Sequence, residues 1–393
     1  VTTRVGPGRF PGWKGTVRRP AAVLLLVAGI VAATLAVIIG PERVAGATAS
    51  VPAPLAPSAL VAGAGHACVV GGSPPAVAWS TLRNPVLADP SAGLKDQAVV
   101  WVDGRWHALF SEVTDDPSGP GGIRWDIATA ISPDLQHWSG VSPWPTQTGV
   151  LGVASPDLVR VRTGRFVATY QSDPGASPPS GDDARLFYRT SADLEHWSRP
   201  HPLAQNLAPS PGDRMIDGAL VSTGRQLLLG FKFSSPTQPD VFEVARSTSG
   251  RLRGPWVLVG RPDITVDGGT VENGEFVVVA GRWHLMATSD NLDQPWLFTL
   301  SGDPDRADSW LHWTDGYSLD VPGQAFDSGP GISSLGYEHA NSAYLCATGP
   351  GPGREVYLFY AGSSELTRFD GWGHSAIGVA RSRDLVHWQV PPG

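Results

Sequence analysis

The sequence predicts an all-β fold, a five-bladed β-propeller, from three observations. First, one phrase recurs: Ser132-Pro-Asp-Leu-Gln-His-Trp138, Ser191-Ala-Asp-Leu-Glu-His-Trp197 and Ser382-Arg-Asp-Leu-Val-His-Trp388, with degenerate copies ending at Trp256 and Trp313. These tryptophans mark five units with a period of about 60 residues. Second, each unit carries apolar runs of strand length, and most break at a glycine beside a polar or small residue, as a hairpin turn does. Third, no stretch beyond the N-terminal region keeps a helical period. Repeated units of three or four short strands at this spacing describe blades around a central channel. A sandwich has no reason to repeat one tryptophan turn five times, and solenoid repeats are usually shorter.

In chain order, residues 1–20 form a basic segment with Arg4, Arg9, Lys14, Arg18 and Arg19, and residues 21–40 an apolar run without charge. Twenty residues at 1.5 Å each span about 30 Å, the thickness of a bilayer's hydrocarbon core. Basic residues on its N-terminal side direct the remainder outward. The small residues of Ala45–Ser50 also suit signal-peptide cleavage, so the run reads as a transmembrane anchor or a signal segment. Either way the globular part is exported, to the cell membrane as a single-pass protein with an extracellular domain, or as a secreted one. Residues 41–75, rich in Pro, Ala and Gly, read as a tether, and 76–393 as the propeller. Within it the runs are Ala98–Phe110, Leu158–Tyr170, Ala219–Phe231, Phe276–Ala287 and Arg354–Ala361, four of them broken at Asp103-Gly104, Thr163-Gly164, Thr223-Gly224 and Ala280-Gly281. A third run follows in several units before the tryptophan turn, as at Ile127–Ile131, Ala184–Thr190 and Ala376–Arg381.

Composition narrows the function. With 41% hydrophobic and 17% charged residues the chain can bury a core, and 47 Gly and 36 Pro suit a fold of many turns. A formal net charge of −7 offers no basic field for phosphates, which argues against a nucleic-acid partner. No His-Glu-x-x-His, Cys/His cluster or phosphate loop occurs. The only two cysteines, Cys68 and Cys346, lie near opposite ends of the folded region. In an oxidising location they are candidates for a disulfide that fastens the ring, the alternative being two buried thiols.

The positions just before the first run of each unit are Asp96, Asp157, Asp217 and Glu272, with His339 in the fifth. They track the blade repeat, so they are expected in register at one end of the inner strands. Crowded carboxylates in a low-dielectric funnel drive one another's proton affinities apart. One then takes a proton from water while another gives one up, as glycoside hydrolysis requires. In inverting enzymes the two carboxyls stand about 6.5–9.5 Å apart, with room for the attacking water.

At Leu94-Lys95-Asp96, Ser155-Pro156-Asp157, Ile216-Asp217 and Val271-Glu272-Asn273-Gly274 the sequence resembles glycoside hydrolase families 43 and 62, over roughly residues 80–393. Those families contain inverting arabinofuranosidases, xylosidases and arabinanases. The resemblance implies Asp96 as general base, Asp217 as the residue that tunes and orients the acid, and Glu272 as general acid. It implies Asp157 as a substrate or structural contact and His339 as a support of the site, a weaker reading being a metal ligand. No cofactor is implied, apart from a structural Ca2+ allowed on the propeller axis. The implied partner is a polysaccharide or oligosaccharide containing pentose or furanose units. The chain departs from the family at Gln97, where proline is usual, and at Asn273-Gly274, where Gly-Pro is usual; Glu275 stands as a rival acid. The Asn-Asp-Pro, Arg-Asp-Pro and Glu-Cys motifs of retaining propeller enzymes are missing. Trp101, Trp106, Trp125 and Trp283 fall in inner strands or loops, where core packing or stacking on sugar is open to them, and Trp101 is a candidate substrate contact. The alternative function is a non-catalytic propeller that binds glycan or protein at the cell surface.

Overall fold

A computed structural model describes residues 68–393 apart from 72, 74, 120–121, 145–146, 148–149, 151, 162, 173–180, 265, 267–268, 291–293, 328–337, 350–353, 365–373 and 393. The chain divides into two units, Val1–Pro57 and Ser58–Gly393. The first, with the basic segment, the 21–40 span and about half of the tether, lies outside the described residues.

The described residues form five sheets, one per blade, antiparallel except where β1 joins β2. Blade I contains β1 (Val69–Val70), β2 (Gly93–Val102), β3 (Arg105–Asp115), β4 (Ile123–Ser132) and β5 (Ser142–Pro143). Blade II contains β6 (Val153–Arg160), β7 (Phe166–Ser172), β8 (Arg185–Ser191) and β9 (His201–Pro202). Blade III contains β10 (Arg214–Ser222), β11 (Leu227–Ser235), β12 (Gln238–Ser247) and β13 (Trp256–Gly260). Blade IV contains β14 (Val271–Val279), β15 (Arg282–Ser289), β16 (Pro295–Leu300) and β17 (Trp313–Ser318). Blade V contains β18 (Glu338–Ala347), β19 (Val356–Ser363) and β20 (Ala376–Ser382). Within each blade the strands pair in sequence order, so β2, β6, β10, β14 and β18 are the innermost of their hairpin series.

Local chemistry explains the hairpins. Asp103-Gly104 and Ala280-Gly281 both hold two successive left-handed residues (φ 48° and 85°; 51° and 78°), the type I′ geometry that matches strand twist. Each closes a two-residue loop, between Val102 and Arg105 and between Val279 and Arg282. Between blades, apolar side chains from adjoining sheets form the core: Trp106, Phe359, Tyr357 and Val379 join blades I and V, and Phe276, Trp310 and Val244 join blades III and IV.

The ring closes in two ways. Val86 and Leu87 donate their N–H groups to Ile377 O and Ile377 N–H donates to Leu87 O, so the segment between β1 and β2 pairs with β20. Cys68 and Cys346 are disulfide-bonded with Cα atoms 5.0 Å apart, tying the start of blade I to the innermost strand of blade V. The described residues begin at Cys68, inside the segment read as tether, where Val69 and Val70 pair in parallel with Trp101 and Val102.

The tryptophan turns form at the far end of the inner strands from Asp96. Trp101 pairs with Trp106, which pairs with Ser132, the first residue of the first turn. In each full copy a serine hydroxyl accepts the leucine N–H, at 2.9 Å for Ser132 and Leu135. The aspartate Oδ1 accepts two more backbone N–H groups, those of Gln136 and His137 in the first copy, both at 2.9 Å. The indole N–H donates back to the leucine carbonyl. Leu135, Leu194 and Leu385 all adopt left-handed backbone (φ 67°, 65° and 66°), and the surrounding hydrogen bonds offset that cost.

Candidate active site

At the opposite end each inner strand is interrupted by a bulge, where its register against the second strand shifts: Lys95/Ala98, Ala154/Asp157, Ile216/Ala219, Glu272/Glu275 and Asn341/Tyr344. A left-handed residue sits in every one: Asp96 (φ 52°), Ser155 (49°), Asp217 (52°), Asn273 (47°) and Ser342 (47°). Three have their N–H held by a polar side chain on the second strand of the preceding blade. Ser155 donates to Ser111 Oγ at 2.8 Å, Asp217 to Gln171 Oε1 at 2.8 Å and Ser342 to Thr288 Oγ1 at 3.1 Å. Left-handed backbone is costly for residues other than glycine, and these bonds from the neighbouring blade hold it in place.

This ring revises the register expected from the sequence. Asp96 and Asp217 are equivalent, but Glu272 stands one position before the blade IV bulge residue Asn273, and Asp157 two positions after Ser155. The bulge, invisible in a pattern of apolar runs, consumes the difference.

Asp96, Asp217 and Glu272 nevertheless line one cavity of about 120 Å3, with Lys95, Trp125, Ser155, Gln171, Arg214 and Asn273. A second, of about 30 Å3, is walled by residues of all five inner strands, including Gln97, Asp157, Glu275 and Tyr344, and shares Asp96, Ser155, Asp217 and Asn273 with the first.

Each carboxylate has its own surroundings. Asp96 accepts from Ser342 Oγ (2.8 Å) and Asn273 Nδ2 (3.2 Å) at Oδ1, and from Ser111 Oγ (2.8 Å) at Oδ2, which fixes its plane. Asn273 Nδ2 also contacts Ser342 Oγ. Asp217 is buried, and burial, then the charge of Glu272, push its carboxyl up to about 7, with Lys232 opposing and Asp96 adding. Glu272 is half-buried, its Oε2 2.8 Å from the Lys232 ammonium.

The other expected site residues lie differently. Asp157 Oδ2 accepts the N–H of Leu220 on blade III at 3.1 Å, and Glu275 Oε2 accepts that of Leu345 on blade V at 2.6 Å. Both therefore tie one inner strand to the next. Burial raises the Glu275 carboxyl well above the usual range, and the charge of Asp157 adds to this. His339 is engaged at both ring nitrogens, Nδ1 with Asp327 at 2.9 Å and Nε2 with Val321 O at 2.9 Å. A ring so occupied has no lone pair for a cation, so it does not fit a metal-ligand role. Among the described residues no group of three or more His, Cys, Asp and Glu side chains converges to hold a metal.

Trp101 is not at the site. Five residues of extended strand at about 3.3 Å each set it about 16 Å from Asp96. Its indole packs edge-on against Trp106 and donates to Ser73 O at 2.9 Å. The tryptophan lining the cavity is Trp125, at the start of β4. Sequence reasoning also passed over Ser111, Asn273 and Ser342, whose roles depend on the bulges, and over Lys232. A lysine between Phe231 and Phe233, inside an apolar strand, was the one available signal.

No family model matches the sequence, and no curated protein matches it. Solved structures do share its architecture. An α-L-arabinofuranosidase from Lactobacillus brevis aligns with a TM-score of 0.52 at 13% identity, covering 79% of this chain and 97% of that one. A GH62 hydrolase solved in complex with xylotriose aligns at 0.51 and 12%, over 76% and 95%. A structure described under the GH130 family of mannoside phosphorylases, which contains glycoside hydrolases targeting β-1,2 mannosidic linkages in Candida mannan, aligns at 0.53 and 13%, over 82% and 96%. The chain has the five-bladed propeller fold of these proteins.

Proposed function

We propose that the protein is an inverting glycoside hydrolase acting on pentose- or furanose-containing polysaccharide, outside the cytoplasm. The observation that carries the proposal is the meeting of Asp96, Asp217 and Glu272, from blades I, III and IV, around one cavity. In this reading Asp96, held in orientation by Ser111, Asn273 and Ser342, takes the proton of the attacking water. Glu272 delivers a proton to the leaving oxygen. Asp217, buried in the same cavity beside Glu272, orients the acid. Trp125 offers the cavity an apolar wall against which a sugar ring can lie. The likeness in fold to an arabinofuranosidase and a GH62 hydrolase supports the substrate class. Export is supported by the disulfide and by the basic and apolar N-terminal segments.

The test is a panel of aryl furanosides and pyranosides, with NMR following the anomer first released. Release with inverted configuration, lost by about 10²–10⁴-fold in Asp96→Ala with glycan binding retained, is the expected result. Turnover that survives Asp96→Ala, or release with retained configuration, overturns it.

A further inference from the structure

A lysine that no repeat in the sequence announces joins Glu272 to a second carboxylate. Lys232, on β11, places its Nζ 2.8 Å from Glu272 Oε2, 2.6 Å from Asp290 Oδ1 and 3.3 Å from Asp240 Oδ2. Its side chain is 4% exposed, whereas those of Glu272, Asp240 and Asp290 are 23%, 30% and 31% exposed. The ammonium is thus buried against three partly exposed acids, of which Glu272 lines the cavity. Asp290, just beyond β15, shares the Lys232 ammonium with Glu272, and the two charges act on each other.

We propose that Lys232 and Asp290 are positioning residues that, with Glu272, form a carboxyl–ammonium–carboxyl unit governing when Glu272 holds its proton. This rests on the reading of Glu272 as proton donor. A glutamate paired only with an ammonium stays ionised at neutral pH and has no proton to deliver. Asp290 draws on the same ammonium, and its charge opposes a second charge on Glu272, so the unit accepts one extra proton between its two carboxyls. The unit's surroundings agree. Burial, partly countered by the Lys232 hydrogen bond and reinforced by the Glu272 charge, raises the Asp290 carboxyl. Burial works against the Lys232 ammonium, but the charges of Glu272 and Asp217 outweigh it, so the lysine remains cationic.

Other charged groups face this unit from every side. Asp217 and Arg214 come from β10, Lys95 and Asp96 from β2, all four lining the same cavity. Asp240 comes from β12 and is itself paired with Arg214 at 3.0 Å. On β14, Glu275 is committed to Leu345 N–H, and on β18 His339 is committed to Asp327. Substitution at Asp290 leaves this background in place, whereas loss of the Lys232 charge also acts on Asp217 and Asp240.

The two partners act on Glu272 with opposite sign, which gives a signature that a purely structural role does not produce. The experiment compares pH profiles of kcat/KM for the wild type, Lys232→Met, Lys232→Arg and Asp290→Asn on an aryl glycoside with a poor leaving group. Lys232→Met is expected to move the alkaline limb up by about one pH unit, and Asp290→Asn to move it down by about as much. Lys232→Arg, which keeps the charge, is expected to leave the limb in place. With a dinitrophenyl leaving group, which needs no proton, the profiles should converge. Limbs that move together, or not at all, overturn the proposal. Asp290 is near the surface, so Asp290→Asn decides the matter even if Lys232→Met fails to fold. Glu272→Ala separates the two levels. If it leaves turnover of the poor leaving group intact, the acid assignment fails. If it abolishes that turnover while the limbs stay fixed, only the unit fails.

Discussion

The two ends of the inner strands solve the same problem differently. At the end carrying the tryptophan turns, three blades use the same side chains: serine and aspartate oxygens collect backbone N–H groups around a left-handed leucine, and a tryptophan packs beneath. The backbone N–H and ring of His387 hold the Asp384 carboxyl well below the usual range, and those of His196 do the same for Asp193. At the cavity end, five bulges share one backbone conformation, yet their central residues are Asp96, Ser155, Asp217, Asn273 and Ser342. Where the demand is structural, each blade repeats the same answer. Where side chains from different blades must cooperate around one cavity, equivalent positions diverge while the backbone that presents them does not.

The sharpest way to break this contrast is at Asp217. Its folded carboxyl is pushed up to about 7 from an ordinary value of 3.8, so between those limits the folded state binds more protons than the unfolded one. Stability from this group is therefore complete below pH 3.8 and declines as pH rises through about 7. Asp217→Asn is expected to lower kcat by about 10³-fold and to flatten the fall in melting temperature between pH 5 and 8, as read by calorimetry. A variant that keeps both the activity and the wild-type slope would place Asp217 with the structural acids. Next in size is the closure. Replacing Cys68 and Cys346 by serine should cost about 2–4 kcal/mol in chemical unfolding, while kcat per folded molecule stays unchanged. The smallest effect is expected at a turn: Asp134→Ala removes the acceptor for two backbone N–H groups and should cost about 1 kcal/mol with no change in kcat. A fall in kcat there would show that the two ends are not independent.

Much of the fold was legible because repetition carries it. The tryptophan turns, the type I′ hairpin at Asp103-Gly104 and the apolar runs are each specified by residues close together in the chain. Asp96 and Asp217 were legible as well, since they occupy the same place in two blades. Glu272 was found through a register one residue out of step, and Asp157 through one two residues out, because a bulge adds residues without altering the hydrophobic pattern. Trp101 was misplaced for a simpler reason: a strand has two ends, and an alternating pattern does not say which faces the cavity.

By itself the sequence determined the number of blades, the hairpins and the turns, all set by short-range geometry and by burial of alternate side chains. Only the tertiary structure decided which carboxylates share a cavity and which bind a neighbouring strand. Asp157 and Glu275 became strand ties, and Lys232 came to lie between Glu272 and Asp290. Those outcomes depend on how blades distant in sequence are rotated about one axis, and on bulges held in place by hydrogen bonds from adjacent blades.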